Sequence, residues 1–154
     1  MNIFEAIELK KDLQTRIDDL GKRYVFCSTV KKGEKPIENP QELQTELEDN
    51  LSQLNDICCR INAANNTSRN SQGQTLVQLL VEKAIVEKRL EILRRTFSEI
   101  IFGDADFYNY CNKPACDYDA TIDIKSTKEQ IDHQEARLRE LNSEIQALDL
   151  TTEI

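Results

Sequence analysis

ICCRINAANNTSRNSQGQTLVQLL, residues 57–80, decides the reading of the whole chain. It holds the densest cluster of Asn, Thr, Ser and Gln in the sequence, and apolar residues return at helical spacing on both sides. A polar block closed by Gly73 and Thr75, set between two apolar-striped runs, predicts the tip of an αα-hairpin rather than a domain linker.

Before the tip, Asn39 as N-cap, Pro40 at the first helical position and Glu42 three residues after the cap predict a helix over residues 40–65. Its stripe reads Leu47, Leu51, Leu54, Cys58, Ile61 and Asn65, a heptad seam of the coiled-coil type. After the tip, Thr75 and Gln78 open a helix over residues 76–102 faced by Leu76, Leu79, Leu80, Val86, Leu90, Leu93, Phe97 and Ile100. The two outer helices follow the same logic. Asn2 and Glu5 box the first, over residues 3–23, with Ala6, Leu13, Ile17, Leu20 and Tyr24 on one stripe. Ser126 and Glu129 open the last, over residues 127–148, with Ile131, Gln134, Leu138, Leu141, Ile145 and Leu148, and the terminal DLTTEI reads as a fraying end.

The fold expected is all-α, a single domain built as an elongated antiparallel four-helix bundle of two long helical hairpins. Two non-helical stretches interrupt it. VFCSTV at residues 25–30 is β-branched and aromatic, and TIDI at 121–124 alternates, so a short two-stranded β element between them is an allowed addition.

Composition narrows the function. Charged residues make up 31% and Gly plus Pro only seven positions, which suits solvated helices. The net charge is −8, with five acids against one base over residues 41–66 and seven against three from Ser126 onward. No basic stripe gathers phosphate-neutralising side chains, which argues against a nucleic-acid binder, and an anionic membrane partner is disfavoured on the same ground. No secretory segment or membrane-length apolar run is seen, so the expected compartment is the cytoplasm, where the five Cys stay reduced.

Catalytic candidates are few. His133 is the one His and has no nucleophile at a recognisable spacing, so no catalytic residue and no cofactor are assigned. Asp104 and Asp106 begin a carboxylate run that lacks the Gly and closing Glu of a calcium loop. Cys111 and Cys116 form the weak alternative of half a zinc site, and the adjacent Cys58 and Cys59 point about 100° apart on a helix and cannot chelate one ion together. The candidate ligand-binding residues are Asn62, Asn65, Thr67, Arg69 and Thr75, where helix-start amides and one Arg favour a small anion. Ordinary turn chemistry explains the same residues without a ligand.

FEAIELKKDLQTRIDDL, GEKPIENPQEL, the RINAANNTS tip with GQTL, and the terminal TTEI together resemble a family of small helical bacterial proteins that carries the name septicolysin. The family's most distinctive part is matched by Ile61, Asn62, Asn65, Thr67, Gly73, Thr75 and Leu76, while Lys83 and Ala84 stand where the family often has an Arg-Asp pair. The resemblance implies a haemolysin by name and no firm enzymatic activity. The function expected is a non-enzymatic structural or protein-interaction bundle that forms a homo-oligomer. An anion-binding module at residues 61–76 and a cytolysin are the alternatives.

Overall fold

A computed structural model describes residues 1–102 and 120–154. Four α-helices account for most of them: α1 is Ile3–Cys27, α2 Pro40–Thr67, α3 Leu76–Phe102 and α4 Ile124–Thr151. The fold is all-α, and pairing of strand type among the described residues is limited to two isolated bridges, Asn2 with Glu153 and Arg69 with Thr75. The helices pack as two hairpins, α1 with α2 and α3 with α4. By contacts the chain forms two compact units, Met1–Leu76 with Ala147–Ile154, and Val77–Gln146.

In the first unit, α1 starts as its sequence requires. The Glu5 N–H donates to Asn2 Oδ1 at 2.8 Å and the Asn2 N–H donates back to Glu5 Oε2 at 2.9 Å, so two of the orphan donors of the first turn are satisfied. The helix then outruns its expected end at residue 23, and the β element is absent: residues 25–27 are helical, 121 and 122 form bends and 124 begins α4. The stripe explains this. Cys27 lies three residues beyond Tyr24 on the face of Leu13 and Leu20, and it packs with Leu20 and Leu43, so burying it by one more turn outweighs the strand preference of Val25 and Phe26.

The seam of α2 also differs from the expected one. Leu43, Asn50, Ile57, Ile61 and Ala64 are buried, whereas Leu51 is exposed and Cys58 half-buried. The polar residue at the seam is therefore Asn50, and its Nδ2 donates to the Glu46 carbonyl at 2.7 Å, which makes burial there tolerable. Ala6, Leu13, Ile57 and Ile61 form one apolar cluster, against which Ile7, Leu54 and Ile154 pack.

Ile154 arrives there because the terminal residues do not fray. The Ile3 N–H donates to the Thr152 carbonyl at 3.0 Å and the Ile154 N–H to the Met1 carbonyl at 2.9 Å, while Arg60 Nη2 reaches the Ile154 carbonyl at 2.8 Å. These bonds clasp the end of α4 to the start of α1.

In the second unit, Leu79, Val86 and Leu90 of α3 and Ile131, Leu141 and Ile145 of α4 are buried. Arg94 pairs with Glu135 at 2.7 Å across the two helices, and Arg137 bridges Glu82 at 2.8 Å and Glu140 at 3.2 Å. The Glu82 hydrogen bond and the neighbouring carboxylates raise the pKa of Arg137 above the ordinary value. The start of α4 lies a turn earlier than its sequence suggests, since Asp123 Oδ1 accepts from the Lys125 N–H at 2.9 Å and replaces the expected Ser126 box.

Candidate functional site

The turn between α2 and α3 is built almost entirely from hydrogen bonds among its own residues. Thr67 Oγ1 donates to the Ala63 carbonyl at 3.1 Å, and both the N–H and Oγ of Ser68 donate to the Ala64 carbonyl at 2.8 Å, so the last turn of α2 is bonded by the residues that end it. The chain then doubles back: the Asn70 N–H donates to the Gln74 carbonyl at 2.9 Å and the Leu76 N–H to the Ser68 carbonyl at 3.0 Å. Gly73 takes φ +82, the left-handed conformation that Gly adopts without a Cβ penalty.

At the centre of the turn is Asn70, part of the polar tip but not one of the five residues assigned to a ligand. Its Oδ1 accepts from the Gln72 N–H at 3.1 Å and the Gln74 N–H at 2.9 Å, while its Nδ2 donates to Gln74 Oε1 at 3.1 Å. An Asn followed by Ser-Gln-Gly is a signal for this arrangement, because an Asx side chain bonds the backbone two residues on and a Gly completes the reversal.

The five residues expected to hold a ligand share this neighbourhood. Arg69 Nη1 donates to the Gly73 carbonyl at 2.8 Å and Arg69 pairs with Thr75 through the isolated bridge. Asn62 is exposed at the end of α2, where its carbonyl accepts from Asn66 Nδ2 at 2.8 Å. Asn65 is half-buried, with its Oδ1 enclosed and unpartnered among the described residues. Two shallow depressions lie elsewhere: one on the first turns of α2 between Asn39 and Asp49, the other beside α1 and α2 at Leu9, Leu13 and Arg60.

The metal candidates Cys111 and Cys116, and Asp104 with Asp106, lie outside the described residues. Among the described residues no group of three metal-ligating side chains comes together; Cys27 is buried, Cys58 half-buried and Cys59 exposed. His133 is exposed on α4.

A second cluster closes the α1–α2 connection. Arg23 Nε donates to Glu38 Oε2 at 3.0 Å, its Nη2 bonds Glu38 Oε1, and its Nη1 reaches Asp19 at 3.5 Å. The hydrogen bond from Arg23 lowers the Glu38 pKa against the opposing effect of desolvation, and the same bond raises that of Arg23.

Two helical hairpins, with a turn whose residues hydrogen-bond one another, define an all-α protein. The chain belongs to the family of unknown function DUF6847, which matches residues 10–154. It is similar to a functionally unknown conserved protein from Corynebacterium diphtheriae of known crystal structure, with 27% identity and a TM-score of 0.83 over 100% of this chain and 98% of the other. No curated protein matches it.

Proposed function

We propose that the protein is a non-enzymatic interaction protein of the cytoplasm that works by self-association. The observation that carries this reading is the outer face of α3. Val81, Ile85 and Ile92 are exposed, the two Ile at 56%, on the side opposite Leu79, Val86 and Leu90 at about 100° per residue. One helix is thus apolar on two faces, and its own hairpin uses one of them. A second copy fits the other. Charge on α3 is −1 over residues 77–87 (Glu82, Glu87, Lys83) and +2 over 88–99 (Lys88, Arg89, Arg94, Arg95 against Glu91, Glu99), so an antiparallel, two-fold pairing of α3 sets opposite charges against each other. Light scattering at tens of micromolar tests this, with a dimer mass expected and a monomer mass ruling it out.

The tip alternative draws on exposed Arg69, but that guanidinium already bonds the Gly73 carbonyl, so the turn is better read as architecture. In a thermal-shift screen of anionic metabolites, no compound is expected to raise the melting temperature of the wild type more than that of Arg69→Ala. The septicolysin likeness carries the cytolysin alternative. No helix among the described residues is long and apolar enough to cross a membrane, and a red-cell lysis assay is expected to show no release.

A further inference from the structure

We infer that the α1–α2 connection, residues 22–38, docks on an anionic lipid surface. Four apolar side chains are exposed there within a short length of chain: Val25 and Phe26 at 69% each, Val30, and Ile37 at 83%. They do not belong to the hairpin core, which ends at Cys27, Leu43 and Leu47. A folded chain gains nothing by holding an aromatic and three β-branched residues in water at one end, unless that end meets an apolar phase.

The charge at this end is opposite to that of the molecule. Lys22, Arg23, Lys31, Lys32 and Lys35 against Glu34 and Glu38 give residues 22–38 a net +3, so the remainder of the chain carries −11. Counting Glu42, in the first turn of α2, and Asp19, which Arg23 reaches at 3.5 Å, leaves +1. Glu38 is engaged by Arg23, and no ion pair among the described residues engages Lys22, Lys31, Lys32 or Lys35, all of which are exposed. Gly33 at φ +93 turns the chain between Lys32 and Lys35 and holds the lysines on the connection that carries Val30 and Ile37.

The combination selects lipid over protein. A stable protein partner needs roughly 800 Å² from each side, which four side chains on a short connection do not offer. A lipid surface requires only a few apolar side chains at the headgroup boundary, with lysines beside them that each meet the negative surface potential. The docking is attachment from one end and involves no membrane crossing. It departs from the absence of a membrane partner expected from the whole-chain charge, because that expectation averages over an end whose sign is reversed.

The test is cosedimentation of the full chain with vesicles of phosphatidylcholine alone and of phosphatidylcholine mixed with phosphatidylserine. Binding is expected to the mixed vesicles only and to weaken as salt rises. The triple variant Lys31→Ala, Lys32→Ala, Lys35→Ala is expected to bind about a hundredfold more weakly, roughly fivefold for each lysine. Phe26→Ser with Ile37→Ser is expected to lose binding while keeping its helical circular dichroism, and the exposed Lys128→Ala on α4 to bind as wild type. Failure of the wild type to bind either vesicle, equal binding to both, or undiminished binding by the lysine variant would each overturn the proposal. Loss of self-association in the lysine variant without vesicle binding would also overturn it, and would assign this end to an acidic face of a second copy.

Discussion

Gly73 and Gly21 show how one residue type carries opposite signs. Neither has a heavy atom within 4 Å of an added Cβ, so space decides nothing at either position. Gly73 sits at φ +82, where a side chain costs about 1–2 kcal/mol, whereas Gly21 lies within α1, where Ala is favoured by about 0.5–1 kcal/mol. Gly73→Ala is therefore expected to lower the urea midpoint and Gly21→Ala to raise it, and a shift of the same sign in both would contradict the turn geometry. Asn70→Ala leaves the Gln72 and Gln74 amides without their acceptor and is expected to cost about 1–3 kcal/mol, more than truncating exposed Arg69. Gly73 is legible in the sequence because its position before a helix start demands a reversal. Asn70 is legible only through the Ser-Gln-Gly that follows it, which Asn62, Asn65 and Asn66 lack, and composition alone does not separate the four.

At the scale of the helices, the starts of α1 and α2 are read well, whereas the end of α1 and the start of α4 are not. Asn2, Asn39 and Pro40 sit where local chemistry puts them, since a cap acts within one turn. Cys27 extends α1, and Asn50 displaces Leu51 from the α2 seam, because those choices are settled by what the neighbouring helix offers, which a single stripe does not contain. The Arg23–Glu38 link between α1 and the start of α2 yields a pH prediction. Glu38 has a folded pKa below its unfolded one, so the stabilisation is complete above the ordinary glutamate range and disappears as pH falls through the lowered value. Melting temperature measured from pH 6 down to pH 2 should therefore fall less steeply in Glu38→Gln than in the wild type, and parallel curves would deny the pair a role. The clasp offers a larger effect. Removing residues 152–154 takes away the Ile3 to Thr152 and Ile154 to Met1 bonds and the packing of Ile154, and is expected to cost about 2–4 kcal/mol by urea unfolding.

At the scale of the molecule, the remaining question is what covers the second apolar face of α3. In an antiparallel pair about a two-fold axis between Lys88 and Arg89, Ile85 meets the Ile92 of the other copy and Ile92 meets its Ile85, so one contact is made twice and the assembly closes at two. Lys88, whose Nζ lies 2.7 Å from Glu91, already has its charge met near the axis. Val81 then approaches Thr96, which ends the apolar run at each side and sets the length of the contact. Ile85→Glu with Ile92→Glu places four carboxylates along this seam in the dimer, while both positions are exposed in the single chain. The variant is therefore expected to be monomeric by light scattering, with its circular dichroism intact and its melting temperature independent of protein concentration. The wild type should melt higher as concentration rises, because association stabilises only the folded chain. A wild-type melting temperature that does not move over a hundredfold range of concentration would mean that α3 meets no second copy.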